Sequence, residues 1–343
     1  MLAELGNKAG YKIVVIDLFA DQDTQGFSEQ IIKVTTLALV DVQKAVAVLQ
    51  LSFNINRVVY GSGLEACQDS LAWLASSFLV TGNQPAIHAQ FRDKPSFFKQ
   101  LKQLNIPFPD VQFAQPKQDG RWLIKPYDHV GGLGVREVAG DATKHEYYQK
   151  YMIGQVGSVL FCADGLSVDI IGFQRQWTVS QDDFTFSGLV SKQLLPVHEQ
   201  NNIQAWLSSL MRYYSLQGLG GLDFIWDGQR CYFLEVNLRP PASVMLYPEL
   251  DLFNAHIFGK KVTQVKDDSV RALQIVYAQE DYKLSTSTKW PEWSFDRPEN
   301  DVCFQVGEPI CSIMAHGKTV QQALQQLLDR QKFLENTILI LNR

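Results

Sequence analysis

The chain has 343 residues, 46% of them apolar and 20% charged, with a formal charge of −5. This is globular composition for two or three domains, and it excludes a disordered or fibrous chain. The acidic balance, without a basic stretch, argues against nucleic acid as the main partner.

The β-branched run over 11–18 reads as a buried strand, and Asp21-Gln22-Asp23-Thr24 as a turn. A helix follows over 40–51, with Val42, Ala45, Val46 and Leu49 on one face, then a strand over 57–60 and a helix over 67–78. Such alternation marks a parallel sheet with crossovers. Asp93-Lys94-Pro95 opens a helix that should stop near Asn105, before Pro107 and Pro109. From 121 hairpins take over: strands at 121–125 and 135–138, hairpin regions at 158–171 and 184–189, a helix at 203–214, and strands at 222–226 and 231–236 across Asp227-Gly228. The tail reads as a strand at 272–277, short strands near Val302 and Ile310, and a helix at 319–335. Boundaries fall near 90 and near 262, the second at the polar joint of Lys260-Lys261 and Lys266-Asp267-Asp268.

Five cysteines (Cys67, Cys162, Cys231, Cys303, Cys311) without CxxC spacing suit neither a zinc knuckle nor a disulfide framework, so a reducing compartment is expected. The apolar stretch 31–53 carries Lys33, Asp41 and Lys44, and 71–80 is too short to span a bilayer. The start lacks a cleavage-site pattern. The expectation is a cytoplasmic protein with no membrane partner.

Three constellations could carry chemistry. In the first, Arg121, Leu123 and Lys125 share one strand face, and Gly131, Gly132 and Gly134 follow. Glycines leave backbone N–H groups uncovered, as an anion-cradling loop needs. A loose hairpin connection with a solvated lysine would read the same way, and no Walker motif is present. In the second, Asp223, Glu235 and Asn237 alternate with apolar neighbours, and Arg239 follows in register. Two carboxylates and a carboxamide are hard oxygen donors that suit Mg2+. They share a face only if the hairpin loop has an odd number of residues, which a three-residue Asp227-Gly228-Gln229 turn provides. An ordinary exposed hairpin explains the alternation but not Glu-x-Asn-x-Arg beside Pro240-Pro241. In the third, Gly61-Ser62-Gly63-Leu64-Glu65-Ala66 fits a dinucleotide loop, yet 80–83 offers no ribose-binding acid. Of six scattered histidines only His129, inside the glycine loop, is retained, and no G-x-S-x-G elbow exists.

In this order, Asp93-Lys94, Ile124-Lys125-Pro126 with Gly131-Gly132-x-Gly134, Tyr148-Gln149-Lys150-Tyr151-Met152-Ile153-Gly154, Gly221-Leu222-Asp223 and Phe233-Leu234-Glu235-Val236-Asn237-Leu238-Arg239-Pro240 resemble the ATP-grasp superfamily of carboxylate–amine ligases over about 90–260. The resemblance implies an α/β (α+β overall) ATP-grasp fold. A parallel-sheet domain would occupy 1–90, an ATP-clasping core 91–261 with a lid at about 115–152, and a small C-terminal subdomain 262–343. It implies ATP and Mg2+ (or Mn2+) as cofactors. Lys94 and Lys125 would contact phosphates, with Gly131, Gly132 and Gly134 closing over them. Lys150, Tyr151 and Met152 would form the hinge that reads adenine. Asp223, Glu235 and Asn237 would hold the metal, and Lys125 and Arg239 would be catalytic. The usual ribose-holding acid after the hinge is replaced by Gly154-Gln155-Val156-Gly157.

Gly61-Ser62-Gly63-Leu64-Glu65, Gly82-Asn83 and Gly172-Phe173-Gln174-Arg175-Gln176 are similar to archaeal tyramine–glutamate ligase and to methylotroph ATP-grasp proteins of one-carbon (methanofuran-type) cofactors. Ser62, Gly63 and Arg175 would then face substrate. The implied reaction joins a small-molecule acid and amine through an acyl phosphate, releasing ADP and phosphate. A homodimer is compatible with it. The rival readings are a nucleotide-dependent oxidoreductase using loop 61–66 and a non-catalytic ATP-binding regulator.

Overall fold

The computed structural model describes residues 1–117, 119–128, 131–180, 182–262, 267–285 and 288–339; His129 and Lys266 lie outside them. In the front layer, β1 (Val14–Asp17) pairs in parallel with β2 (Gln30–Lys33), and β3 (Arg57–Val59) with β4 (Leu79–Thr81). Five helices surround them: α1 (Leu2–Lys8), α2 (Gln22–Gly26), α3 (Leu39–Gln50), α4 (Gln68–Ser77) and α5 (Pro85–Arg92). The apolar stripe of α3, Val42 and Val46, packs with Tyr60, Leu71 and Val80, as its spacing requires. Two expectations change. The turn at Asp21 is the start of α2, because the Asp21 carboxylate accepts from Thr24 N at 2.8 Å and caps the helix. Loop 61–66 forms a single 3-10 turn, Leu64–Ala66, and α4 begins only at Gln68. Gly63 therefore caps only this short turn, and no α-helix N-terminus is set on the glycines, as a dinucleotide loop needs.

Helix α6 (Lys94–Gln103) is capped by Asp93, which accepts from Ser96 N at 3.2 Å, with Pro95 in its first turn. A four-stranded antiparallel sheet follows, built from β5 (Val111–Gln112), β6 (Trp122–Pro126), β7 (Arg136–Glu137) and β8 (Glu146–Lys150) in the order β5-β8-β6-β7.

The central antiparallel sheet takes β9 (Gln155–Asp164), β10 (Val168–Thr178), β11 (Phe186–Ser191), β12 (Gln217–Trp226), β13 (Cys231–Asn237), β14 (Val270–Tyr277), β16 (Ser294–Phe295) and β18 (Pro309–Gly317). Their order is β13-β12-β9-β10-β11-β14-β18-β16, and β15 (Tyr282–Lys283) pairs with β17 (Cys303–Phe304) apart from it. The region expected as a hairpin at 184–189 is one strand, β11, held between β10 and β14. Strands of the tail thus extend the central sheet. Helix α7 (Val197–Tyr214) lays Ile203, Leu207 and Leu210 on one face of the sheet, against Phe224 and Phe233. Helix α8 (Leu252–Phe258) precedes β14, and α9 (Val320–Leu334), followed by a π-helical turn over Glu335–Leu339, comes after β18. Among the described residues no helix is long and apolar enough to cross a membrane.

Candidate active site

Strand alternation sets the centre of the site. Leu222 and Phe224 are fully buried in the α7 core, so Asp223 between them leaves from the opposite face of β12. Asp223 pairs directly with Glu235, and Gly221 with Asn237. The route to that register differs from the expected three-residue turn. Trp226 pairs with Cys231, so four residues lie between the strands, and the pairing shifts by one between Asp223 and Phe224. A β-bulge at Leu234 absorbs the extra residue. Without it Asp223 would face Leu234 and the two acids would point to opposite sides.

Asp223, Glu235 and Asn237 line a cavity of about 1650 Å3 together with Lys125. The Asn237 amide lies 3.5 Å from Asp223 Oδ2 and 3.4 Å from Glu235 Oε1, while Gln176 Nε2 donates to Asp223 Oδ1 at 3.1 Å. Burial, and then Glu235 close by, pushes the Asp223 carboxyl well above the usual carboxylate range, against the pull of Gln176 and Lys125. Among the described residues no three His, Cys, Asp or Glu side chains form a metal cage. Two acids and one carboxamide facing an open cavity do fit Mg2+, which takes one or two carboxylates and leaves other positions to phosphate and water. A half-turn of the Asn237 amide presents its oxygen to such an ion.

Lys125, one residue before the end of β6, lies on the face it shares with Arg121 and Leu123, and all three reach the cavity. It is buried, with Nζ donating to Gln149 Oε1 at 3.3 Å. Burial lowers its pKa, while Glu235 and Asp223 hold the charge in place. Lys94, at the start of α6, lies within electrostatic reach of Glu235 and Lys125, and burial lowers its pKa too.

Gly131 and Gly132 line the cavity. Gly132 has φ +77°, and a Cβ there would run into Phe184 O, so only glycine fits. The loop is docked by Phe186 N, which donates to Gly131 O at 2.8 Å. Gly134 (φ +78°) lies outside the cavity wall, against Pro126. Lys150, Tyr151 and Met152 form part of the wall. The Lys150 and Tyr151 amides already donate to Asp110 O and Arg121 O.

Arg239 reaches the cavity beyond the end of β13, buried, with Nε donating to Glu65 Oε1 at 2.8 Å. Ser62 lines the cavity and Gly63 does not. Arg175 is a correction. It sits between Gln174 and Gln176 on β10, and Gln176 is the one turned to Asp223. Strand alternation therefore sends Arg175 to the other face, outside the cavity wall.

Glu65, Gln149 and Gln176 are site residues that sequence reading did not single out. Glutamines carry no charge signal, and Glu65 meets Arg239 across 174 residues of chain.

Residues 91–243 match the family model described as the ATP-grasp domain. No curated protein matches the chain. Solved structures are similar over nearly its whole length. One is the biotin carboxylase domain dimer of 2-oxoglutarate carboxylase from Hydrogenobacter thermophilus, in complex with MgADP, ADP and bicarbonate: TM-score 0.74, 12% identity, covering 96% of this chain and 86% of that one. Another is N5-carboxyaminoimidazole ribonucleotide synthetase from Thermotoga maritima, with TM-score 0.72, 12% identity and coverage of 96% and 94%. The L-amino acid ligase of Bacillus licheniformis has TM-score 0.71, 13% identity and coverage of 96% and 94%.

Proposed function

On the premise that the chain has the ATP-grasp fold and carries over residues 91–243 an ATP-grasp domain, an ATP- and Mg2+-dependent ligase module, we propose that it joins a carboxylate to an amine. The observation that carries this reading is the gathering of Asp223, Glu235, Asn237, Lys125 and Arg239 on one cavity.

Asp223, Glu235 and Asn237 would hold Mg2+, which when bound neutralises phosphate charge. Lys125, fixed by Gln149 and the acids, takes a phosphate oxygen, and Lys94 adds a second positive charge. The Arg239 guanidinium, oriented by Glu65, holds the substrate carboxylate beside the γ-phosphate against mutual repulsion. The glycine loop covers the phosphates and excludes water. A carboxylate oxygen takes the γ-phosphoryl group as the bond to ADP breaks. The amine nitrogen then bonds to the acyl carbon, the C–O bond to phosphate breaks, and the amine proton leaves. Positioning and charge neutralisation suffice, so no protein nucleophile is required.

For the substrates we propose an acid and an amine of a methanofuran-type one-carbon cofactor, a reading supported by the resemblance in Gly61-Ser62-Gly63-Leu64-Glu65 and Gly172-Phe173-Gln174-Arg175-Gln176. The test is an ADP-release screen of paired acids and amines, with mass spectrometry of the product. With acid and ATP but no amine, hydroxylamine should trap a hydroxamate. A covalent protein adduct would overturn the acyl-phosphate route, and ATP binding without any turnover would favour a regulator.

A further inference from the structure

Asp296, just after β16, lines the large cavity together with Ser312 of β18, and the reaction set out above uses neither. Phe295 and Asp296 are consecutive, so an unbroken strand would send them to opposite faces, yet both line the cavity. The reason is the backbone at Asp296, which has φ +52°, in the left-handed region that residues with a side chain rarely adopt. Both of its neighbours are pinned. Phe295 pairs with Ser312 on the central sheet. Arg297 is tied to the front layer, with its N donating to Asp23 Oδ2 at 2.9 Å and its Nε to Asp23 Oδ1 at 2.8 Å. The chain turns sharply between these two anchors and sets the Asp296 carboxylate on the cavity wall, an unfavourable conformation of the kind that gathers at binding sites.

That carboxylate is open to a ligand. Asp296 is an exposed residue, and the cavity is what it opens on. Arg297 is committed to Asp23, and among the described residues no cation comes within ion-pair distance of Asp296. The surrounding protein takes the carboxyl out of bulk water and raises it above the usual range, and Asp21 and Asp23 push the same way. The Ser312 hydroxyl and, from beyond ion-pair distance, the Met1 amino group pull against them. One carboxylate and one hydroxyl are too few oxygens for a divalent ion. They suit an ammonium group, which brings its own charge and three N–H donors.

The floor between Asp296 and the reacting end is apolar. Gln176, which holds Asp223, pairs with Leu189, and Leu189 pairs with Leu273. Ile275, on the same face as Leu273, pairs with Ser312. All of them line the cavity. Three strand spacings separate Gln176 from Ser312, about 14 Å of sheet. We propose, resting on the ligase reading above, that the substrate lying along this floor carries an ammonium group at its non-reacting end, held by Asp296 and Ser312. Between that group and the reacting end it carries an apolar stretch that lies over Leu189, Leu273 and Ile275.

The test is calorimetric binding to the full chain, with MgADP present to engage Asp223 and Glu235. The probe is 8-amino-1-octanol, and octane-1,8-diol is its uncharged match. The amino alcohol should bind about tenfold or more tighter than the diol. Asp296→Asn fits the left-handed backbone as well as aspartate does, and it should erase that difference while MgADP affinity stays as in wild type. Asp296→Glu should restore part of the preference. Equal binding of the two probes to wild type overturns the proposal, and so does an Asp296→Asn variant that keeps the preference. The ligase reading is judged apart from this by the ADP-release screen: the expected binding pattern in a chain that releases no ADP strikes that reading and keeps the cation site, whereas ADP release without the binding preference strikes the cation site alone.

Discussion

Around Asn83 the buried polar groups answer one another. Its Nδ2 donates to Gln217 O at 2.9 Å and Leu238 O at 3.2 Å, and its Oδ1 accepts from Gln217 N at 3.0 Å. Tyr60 Oη donates to Asn83 O at 2.7 Å and meets His88 Nε2 at 2.7 Å. Around Asp223 the buried groups crowd instead. Two acids share one face, and burial, then Glu235 beside it, pushes the Asp223 carboxyl upward. The first cluster ties the front layer to the sheet and is complete without a ligand. The second already faces Lys125, yet burial and Glu235 outweigh it and Asp223 stays raised. A buried network closed on itself is a structural joint, whereas crowded carboxyls with a shifted pKa on a cavity wall mark where the molecule binds something.

The contrast breaks most visibly if the crowded site is emptied. Lys125→Ala, Asp223→Asn and Glu235→Gln should each lower ADP release by roughly three orders of magnitude or more, with cooperative melting retained. Asp223→Asn should also raise the metal-free melting temperature, because it removes one of two buried like charges. Unchanged turnover in calorimetrically folded variants would reduce the acids to hairpin decoration. The opposite pattern is expected for the joint. Asn83→Ala leaves several buried backbone groups unpaired and should cost about 3 kcal/mol in denaturant unfolding, while turnover of the folded protein stays near wild type.

A subtler effect lies in pH. A carboxyl raised on folding binds its proton over a window where the unfolded chain has already lost it. Metal-free stability therefore falls as pH rises through that window. Protons and Mg2+ compete for Asp223, so the rise in melting temperature that Mg2+ gives should grow with pH over the same range. Melting curves with and without Mg2+ across that range check the sign, and a pH-independent Mg2+ gain would separate Asp223 from the cation. The smallest effect is expected at Arg175. Arg175→Ala should leave KM for the acid within about twofold, as for a residue outside the site; a large rise in that KM would return it to the cavity.

Much of this was legible in the chain. Asp223, Glu235 and Asn237 on one side of a hairpin, and Arg121, Leu123 and Lys125 on one side of a strand, follow from period-two alternation, which is local. What failed was tertiary. Which face of β10 meets the cavity depends on its pairing with β9, where the register shifts between Ile170 and Gly172, so Arg175 could not be placed from its own neighbours. β2 and β4 have four and three residues, too few to show a period. The Asp21 cap reads as a turn because the same side-chain-to-backbone bond serves both structures.

The bulge at Leu234 has a consequence for how the hairpin tolerates insertions and deletions. The skipped residue lies between the Phe224–Phe233 and Asp223–Glu235 pairs, so deleting Leu234 would leave both pairs in place on a regular ladder. An even connection with a bulge and an odd connection without one are two equivalent spellings of the same juxtaposition. What holds the two acids together is the number of paired residues counted from the turn, not the length of chain between them. A residue inserted between two paired positions of β13, with no new bulge to absorb it, would instead move Asp223 off Glu235 and dismantle the site.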